Sequence, residues 1–543
     1  MFKRLIIAAI IGALCGAPVR ASLLLTGVGG IGGSGPTAAQ VSNFLTQSYT
    51  GSCTTFAGCY TFSRAGNAMD YDSTGTLTYA PNNQLLNSAT LSTQSITTTP
   101  SNYVLSIYGT GSVVLSGTKV ATLSGTGASN QVYLAFTATA GTLTLTVAGS
   151  VTSAVLANVT YETAPRPGDQ VITTSAAYYG PRFDYPNSTA AGLLLESKAA
   201  TNVLQNSNAF TTSPWATVGS DVTTGSAGTS PDGTNDAWKI STTLANAAYG
   251  RYQPFTYTSA VYTLSAYAKV GTYGYLTLNF SNTAGVDCAV FNLNTGAVGF
   301  SASGVTANIL PVGNGWYRLS VTATQSAGAS YPEVYLSGSG TTDIRFWVAA
   351  GTENLLVFGA QLELGSIPSS YIYTQAASVT RPAESLTATP SALGWSDTTG
   401  TLIVEGTFPP ANQLGVIANV QGASLELELQ ESNAANNAAG QYEGAYASSS
   451  TNWVYDSTTN LPAGSPVRAG VQIISGTDYL SANGNALITG STVGSLSSTS
   501  INFGQRNGGT NQLAQLHLRS LGVYNTAMSS VAFQAKTTVG ASY

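Results

Sequence analysis

Short runs of alternating apolar and polar residues recur along almost the whole chain. Examples are GTLTLTV at 141–147 and DIRFWV at 343–348, where Ile344, Phe346 and Val348 share one face of an extended strand. This two-residue period is typical of a β-strand with one buried face. Turn sequences such as PDGTN, NTG and GNG separate many of the runs, and no long amphipathic helix follows residue 40. The sequence therefore predicts an all-β protein of tandem β-sandwich and jelly-roll domains.

The chain is long and carries few charges. Its 543 residues exceed what one hydrophobic core supports, so roughly three or four domains are expected. Charged residues make up 8% of the sequence and the net charge is -5, which argues against binding a nucleic acid, because a phosphate backbone needs a basic face. His517 is the single histidine. A Ser-His-Asp site or a multi-histidine metal site is therefore nearly excluded.

The first 21 residues have the layout of a secretory signal peptide. Lys3 and Arg4 precede the apolar run LIIAAIIGALCGA, and the small residues of VRA at 19–21 fit a cleavage site. The run is short for a membrane span, so no transmembrane segment is expected in a mature chain starting near Ser22. The alternative is that residues 1–21 are retained as an apolar anchor in an assembly.

The cysteines divide into three groups. Cys15 lies in the signal-like segment and would leave with it. Cys53 and Cys59, in GSCTTFAGCYTF, are close enough to close a small disulfide loop in an oxidising compartment. The alternative is that both are unpaired thiols. Cys288 lies in a strand-like run and is expected to be a small buried hydrophobe.

A weak internal repeat suggests the domain limits. PNNQLLNSATL at 81–91 echoes ATNVLQNSNAF at 200–210, and ANVTYETAPRPGDQVITT at 157–174 echoes GAQLELGSIPSSYIYT at 359–374. Each copy opens with an Asn/Leu segment and closes on a strand that carries Glu162 or Glu363. The predicted divisions are a signal or anchor segment (1–21), an N-terminal region (22–84), a small β-sandwich (85–165), a connecting segment (166–200), a jelly roll (201–380) and a C-terminal domain (381–543).

An ordered series of phrases carries a family resemblance. FSRAG…YDSTG, GPRFDY…GLLLE…TNVLQNS, W…PDGTNDAWKI, GNGWYR, FGAQLELGSIPSSYIYT and TRPAE occur in this order. The series resembles bacteriophage tail-fibre and head-fibre proteins that carry a carbohydrate-binding-module-like jelly roll. The part from LIVEGTF through INFGQRNGG to LRSLGVYNTAMSS resembles a concanavalin A/laminin G-like lectin domain. The resemblance covers roughly residues 62–543.

The resemblance implies a function and partners. It implies a receptor-binding fibre subunit of a virion that contacts a host surface glycan without catalysis, as a homo-oligomer that could be a trimer. Lectin-like jelly rolls of this type often hold a calcium ion at strand ends, although Asp221, Asp232, Asp236 and Asp287 are too scattered to define a site. No other cofactor is expected. The signal-like segment favours a second hypothesis, a secreted bacterial adhesin built from the same modules.

Strand parity in the predicted jelly roll suggests a glycan platform. Aromatic faces cover the C–H patches of sugars, and amides, carboxylates and guanidinium groups bond their hydroxyls. If the strands are adjacent, one sheet face carries Trp316, Arg318, Arg345, Trp347, Gln361 and Glu363. The structural alternative, which we favour, is an internal polar layer covered by the segment LLLESKAATNVL, in which the arginines stack on the indoles and pair with Glu363. Tyr249, Tyr252 and Tyr257, in YGRYQPFTY, are predicted as a surface cluster on a loop.

One pattern in the last domain raises the question of catalysis. Glu426, Glu428 and Glu431, in ELELQE, resemble the E-x-D-x-x-E pattern of jelly-roll endoglucanases, with a glutamate in the aspartate position. A retaining hydrolase would place Glu426 and Glu431 roughly 5–5.5 Å apart across a cleft. A charged outer strand face is the ordinary explanation, and we expect no enzyme.

Overall fold

Strands dominate the chain from residue 40 onward. A computed structural model describes residues 36–160, 162–164, 170–282, 285–407, 415–422, 426–431, 442–447, 453–456, 466–489, 496–506 and 515–543. The predicted signal or anchor segment lies outside them. In the described part of the chain, no helix is both long and apolar enough to cross a membrane. The all-β fold class predicted from the alternation is confirmed.

The described part of residues 1–202 contains seventeen of the strands. The N-terminal strands are β1 (Gln40–Asn43), β2 (Ser48–Gly51), β3 (Thr61–Arg64), β4 (Met69–Tyr71), β5 (Leu77–Tyr79) and β6 (Asn82–Asn83), with the short helix α1 (Phe56–Cys59) after β2. Next come β7 (Gln94–Thr98), β8 (Ser101–Gly109), β9 (Ser112–Gly117), β10 (Ala121–Ser124), β11 (Gly127–Ala138), β12 (Gly141–Ala148) and β13 (Val151–Val159). A connecting stretch holds β14 (Tyr178–Tyr179), β15 (Arg182–Asp184), a 3-10 helix (Pro186–Ser188), β16 (Gly192–Glu196) and β17 (Ala200–Asn202).

The remaining described elements follow residue 202. They begin with β18 (Ala216–Gly219), β19 (Val222–Thr224), β20 (Trp238–Ser241), β21 (Asn246–Ala247), β22 (Tyr249–Tyr252), β23 (Phe255–Tyr257), β24 (Ala260–Val270), β25 (Tyr275–Asn282), β26 (Gly285–Asn292), β27 (Ala297–Ser301), β28 (Thr306–Gly313), β29 (Trp316–Gln325), β30 (Gly328–Leu336), β31 (Trp347–Val348) and β32 (Asn354–Leu364). They end with β33 (Val379–Arg381), β34 (Glu384–Ala388), β35 (Thr401–Thr407), β36 (Gly415–Gly422), β37 (Glu426–Glu431), β38 (Tyr442–Ala447), β39 (Trp453–Asp456), β40 (Pro466–Ile474), β41 (Thr477–Ala482), β42 (Ile488–Thr489), β43 (Ser498–Phe503), β44 (Gln515–Tyr524) and helix α2 (Ser530–Lys536).

Two of the predicted sandwiches are local in sequence. The small sandwich packs the sheet β10-β9-β12-β7 against the sheet β11-β8-β13. The central sandwich packs β18-β22-β30-β25-β26-β27 against β19-β20-β32-β24-β29-β28. In each, alternate residues point into the shared core. Leu143 and Leu145 of β12 fill the small core, and Leu319 and Val321 of β29 fill the central one.

The C-terminal sandwich recruits strands from the beginning of the chain. Its sheets are β15-β16-β44-β35-β40-β41-β42 and β3-β34-β43-β36-β37-β38-β39, and β1 also pairs with β44. Strands β1 to β3 of the predicted N-terminal region (22–84), and β15 and β16 of the predicted connecting segment (166–200), therefore complete the last domain. Aromatic residues near the N-terminus explain this placement, because Phe44 and Tyr60 are buried in the same core as Leu402 and Leu518.

The internal repeat corresponds to a duplicated hydrogen-bond clasp around the motif Asn-x-Leu-x-Asn-Ser. The side chain of Asn83 accepts from the backbone N–H of Leu156 and donates to the carbonyl of Ala154. In the second copy, Asn202 accepts from Leu362 N–H and donates to the carbonyl of Ala360. The opening segments match as the sequence predicted, with Asn83 equivalent to Asn202. The closing strands match differently, because Leu156 is equivalent to Leu362, so Glu162 and Glu363 do not occupy equivalent positions.

The pairing of Cys53 with Cys59 is present. The two Cα atoms lie 5.4 Å apart and the sulfurs form a disulfide around α1. Phe56, within the loop, makes an edge-to-face contact with Phe183 of the C-terminal sandwich. Cys288 is a free, fully buried thiol, as expected for a small core hydrophobe.

Buried charged residues form a cluster where the sandwiches meet. We call Arg64, Arg182, Glu196, Arg381 and Glu384 the ionic core, and the buried Asp70 lies near enough to Arg64 and Arg182 to act on both. The carboxylates of Glu196 and Glu384 both form ion pairs with the guanidinium group of Arg182, with N–O distances of 2.7 and 2.6 Å. A buried ion pair is tolerated only when its geometry and remaining hydrogen bonds are satisfied. Here all three guanidinium nitrogens of Arg182 donate hydrogen bonds.

Candidate functional site

Four residues of the predicted glycan platform do share one sheet face. Trp316 and Arg318 lie on β29, Gln361 and Glu363 lie on β32, and β24 separates the two strands. The face is covered. Trp316 is 2% exposed, packs among Met69, Tyr71 and Phe358, and donates its indole N–H to the carbonyl of Thr229 at 3.1 Å.

The polar residues of this face form hydrogen bonds with the segment that covers them. Glu363 accepts from the backbone N–H and the hydroxyl of Ser369, at 2.8 and 2.7 Å. Gln361 accepts from Ile372 N–H at 2.7 Å. Arg318 donates to the carbonyl of Ser369 and lies over the ring of Tyr267. The cover is thus the segment 366–374 together with β4 and β5, rather than LLLESKAATNVL, and the arrangement is the internal polar layer of the structural alternative.

Arg345 and Trp347 lie elsewhere. Arg345 pairs with Glu333 at 2.6 Å and lies over the ring of Tyr335, next to the other sheet of the central sandwich. Trp347 stacks on Tyr273 with 5.3 Å between ring centres. The expected apolar face of DIRFWV points outward, since Phe346 is 67% exposed and Val348 is 73% exposed.

The tyrosine cluster predicted for a loop is built on strands. Tyr249 and Tyr257 belong to β22 and β23 and are buried in the central core. Tyr249 donates its hydroxyl to the carbonyl of Ala245. Tyr252 alone remains half-exposed, and it forms an edge-to-face pair with the exposed Tyr331 at 5.0 Å.

The acidic residues considered for calcium do not assemble into a ligand set. Asp232 and Asp236 both accept from the hydroxyl of Ser230, whereas Asp221 pairs with Arg251. Among the described residues, no group of three or more His, Cys, Asp or Glu side chains is placed to hold a metal ion. Glu426, Glu428 and Glu431 fall on β37, but their side chains lie outside the described part of the structure.

A cleft of about 540 Å³ lies between the small sandwich, the end of the central sandwich and the chain that leads to β33. The volume is within the range of small-molecule and saccharide sites. Its aromatic lining consists of Tyr79, Tyr103, Tyr179, Tyr371 and Tyr373. Its amides and hydroxyl groups come from Asn67, Gln84, Thr97, Thr99, Asn158, Gln375 and Thr380. None of these residues was predicted as a site residue, although YYG at 178–180 and YIYT at 371–374 are tyrosine-rich.

Hydrogen bonds join the walls of the cleft. Gln375 donates to the carbonyl of Pro100 and to the hydroxyl of Tyr373, both at 3.3 Å. Burial raises the pKa of Tyr79 and of Tyr179 above the usual value for a phenol. The phenols therefore stay protonated and keep both a donor and an acceptor.

Asn67 is the unusual polar group of the lining. Its Oδ1 atom is closed to solvent and has no hydrogen-bond partner among the described residues. Buried polar atoms in native proteins are nearly always paired, but a ligand in the cleft could reach this one only after the wall moved. The backbone before it is fixed, because Arg64 donates to the carbonyl of Gly66 at 2.7 Å.

Comparisons with known proteins identify no family. No protein-family model matches the chain, and no curated protein sequence matches it. Domains LG4-5 of the mouse laminin alpha1 chain are 10% identical, with a TM-score of 0.17, over 54% of this chain and 94% of theirs. The CBM22 tandem of Paenibacillus barcinonensis is 10% identical, with a TM-score of 0.20, over 61% and 98%.

A sialidase is also among the similar structures. Trypanosoma rangeli sialidase in complex with sialic acid is 10% identical, with a TM-score of 0.23, over 56% of this chain. The chain spans 62% of the length of that enzyme. The all-β architecture described above rests on the strand pairing of the chain itself.

Proposed function

We propose that this protein recognises a surface polysaccharide without catalysis, as the receptor-binding subunit of a phage or prophage fibre. The cleft is the observation that carries the proposal. It joins aromatic rings, which suit the C–H faces of sugars, to amides and hydroxyls, which suit their hydroxyl groups. The resemblance of the ordered phrases to tail-fibre and head-fibre proteins supplies the fibre context.

Weak contacts with a glycan give tighter overall binding when several copies of the site act together. A single cleft lined by neutral groups binds a short glycan segment modestly, whereas several copies held together act at high effective concentration on a repeating polymer. A homo-oligomer, for example a trimer, fits such a role. The low content of charged residues fits it as well, because it limits non-specific attraction to other polymers.

Filling the cleft tests the proposal. Thr97 lies on β7 at the cleft and is exposed, so Thr97→Trp should occupy the space without removing a buried group. We expect the native chain to bind an array of bacterial capsule and cell-wall polysaccharides, and Thr97→Trp to lose the signal. Thr122→Trp, on β10 of the same sandwich and away from the cleft, is the matched control and should bind normally. Retention of binding by Thr97→Trp, or no binding by the native chain, would contradict the proposal.

The disulfide supports a second candidate, an exported adhesin or lectin with the same modules. Stable disulfides are characteristic of oxidising compartments, whereas virion proteins are assembled in the cytoplasm of the host. N-terminal sequencing of the native protein separates the two. A start near Ser22 with Cys53 and Cys59 paired supports export, and an intact Met1 in particles supports the fibre.

A further inference from the structure

We infer that the cleft recognises sugars that carry an acetamido group, and that Gln84 and Gln375 bind this group. The inference rests on the proposed function and specifies its ligand class. It depends on two tyrosine–glutamine pairs in the lining, Tyr179 with Gln84 and Tyr373 with Gln375. All four side chains are half-exposed, so a ligand in the cleft reaches them without any movement of the wall.

The first pair lies where β6 and β14 meet. Asn82 of β6 is directly opposite Tyr179 of β14. Tyr179 is therefore diagonally across from Gln84, at a separation that an aromatic ring and a long side chain bridge. The backbone N–H of Gln84 donates to the carbonyl of Leu156 at 2.9 Å, whereas its side-chain amide has no hydrogen-bond partner among the described residues. The amide oxygen and the amide N–H groups are both available to a ligand.

The second pair lies on the chain that leads to β33. Gln375 donates to the hydroxyl of Tyr373 and to the carbonyl of Pro100, both at 3.3 Å, which is longer than a usual N–H to oxygen bond. Its amide oxygen accepts from no described residue. The backbone is held, because the carbonyl of Gln375 accepts from Asn206 N–H at 2.6 Å. The side chain can therefore turn its amide toward a ligand while its backbone stays in place.

A glutamine amide is complementary to an acetamido group. The acetamido N–H donates to the glutamine oxygen, and the acetamido carbonyl accepts from the glutamine NH2 group. The methyl group needs an apolar contact, which the neighbouring tyrosine ring provides. A hydroxyl group at the same position of the sugar has its donor and acceptor on one atom and brings no methyl group. Each tyrosine–glutamine pair should therefore prefer the acetamido sugar.

Both pairs line one cleft of about 540 Å³. An oligosaccharide with acetamido groups on several of its residues engages both pairs at once, and the second contact then forms at high effective concentration. The ligand class that fits this arrangement best is a polysaccharide in which N-acetylated amino sugars recur.

Calorimetry on the native full chain tests the inference. The probes are tetrasaccharides of N-acetylglucosamine and of N-acetylgalactosamine, each compared with the tetrasaccharide of glucose or of galactose that has the same linkage. The members of each pair differ only in an acetamido or a hydroxyl group. We expect at least one acetamido probe to bind at least about tenfold more tightly than its hydroxyl counterpart, the effect of two additional hydrogen bonds.

Variants link this preference to the two glutamines. Gln84→Glu keeps the size of the side chain and replaces its N–H donors with a second acceptor. It should weaken binding of the acetamido probe about five- to tenfold and change binding of the hydroxyl counterpart by less than about twofold. Gln375→Glu should have the same effect. Gln131→Glu makes the same charge change at a half-exposed glutamine of β11 outside the cleft, and should match the native chain.

The outcomes separate this inference from the proposed function. Equal affinity for both members of every probe pair, or full affinity for the acetamido probe in both glutamine variants, overturns the inference and leaves glycan recognition standing. Failure of all four probes also overturns it, and the polysaccharide array, which includes glycans without acetamido groups, then decides the proposed function on its own. The comparison of probes on the native chain remains decisive if a variant does not fold.

Discussion

Neutralising Glu384 should destabilise the C-terminal sandwich more than any ordinary surface change. Glu384 accepts from Arg64 at 2.6 Å, from Arg182 at 2.8 and 2.6 Å, and from the backbone N–H of Glu196 at 2.9 Å. Although burial disfavours the charged carboxylate, Arg182 and Arg64 hold its pKa below the usual value. Glu384→Gln keeps the shape and removes the negative charge.

The expected loss of stability follows from the charges that remain buried in the Glu384→Gln variant. Arg64 would lose its ion pair with Glu384 and Arg182 would keep only Glu196, and breaking a buried pair from one side costs about 3–5 kcal/mol. Arg64→Met in the same chain removes the charge that lost this partner. The double variant Arg64→Met/Glu384→Gln should therefore be less destabilised than the sum of the two single variants, by about 1–3 kcal/mol.

Differential scanning calorimetry of the full chain is the appropriate assay, because separate sandwiches can unfold in separate transitions. Glu353→Gln is the control. Glu353 accepts from the hydroxyl of Thr242 and from two backbone N–H groups and has no arginine partner in the described part of the chain, so its change should cost about 1 kcal/mol. A loss of less than about 1 kcal/mol in Glu384→Gln would refute the view that the ionic core stabilises the assembled fold.

The carboxyl group of Glu384 also makes the stability of the fold depend on pH. Its folded-state pKa is lowered, so its contribution is complete above the unfolded value of about 4.3 and declines as the pH falls below that value. Glu196, whose pKa Arg381 and Arg182 also lower against the effect of burial, acts in the same direction. The stability of the native chain should therefore fall steeply in acid, and Glu384→Gln should show a shallower fall. Parallel acid profiles would contradict this assignment.

Two further predictions concern side chains outside the ionic core. Trp316→Ala should lower the free energy of unfolding by about 3–5 kcal/mol, because it deletes a core aromatic side chain. In the same denaturant titration, Phe346→Ala, at an exposed position, should change this free energy by no more than about 0.5 kcal/mol. A stable Trp316→Ala variant with weakened glycan binding would instead favour the glycan platform. Burial raises the pKa of Asp478 to about 6, so the stability of its sandwich should fall as the pH rises from about 4 to about 6. Asp478→Asn should remove that slope in thermal scans across this range, and an unchanged slope would contradict it.

The local pattern of the sequence predicted the strands well and the surface less well. Alternation placed the core residues of β12 correctly, because this strand has one face against a core. The same rule was wrong for DIRFWV, where Trp347 packs inward and Phe346 faces solvent. Aromatic packing with Tyr249 and Tyr273 holds the larger ring inside, and a period-two pattern cannot say which of two mixed faces is buried.

The sequence pattern could not predict which distant strands pair. β1 and β3 pair with strands that lie more than 300 residues away in the sequence, and the local pattern of a strand carries no information about such a partner. The cleft has the same origin, since Asn67, Thr97 and Tyr373 meet only after three parts of the chain have come together. Sequence arguments found the aromatic and amide residue types that a glycan site requires, but placed them on a sheet face that the protein uses for packing.

The recognisable phrases of this chain encode its assembly more than its ligand. GPRFDY contributes Arg182 and TRPAE contributes Arg381 and Glu384 to the ionic core, and FGAQLELGSIPSSYIYT contributes Gln361 and Glu363 to the covered polar layer. These buried charges and amides need exact partners, so their surroundings tolerate little change. The cleft lining draws on both kinds of position, because Tyr371 and Tyr373 belong to FGAQLELGSIPSSYIYT whereas Thr97 and Gln375 lie outside the phrases. One scaffold can therefore vary the cleft at positions such as Thr97, and the choice of sugar should follow those positions.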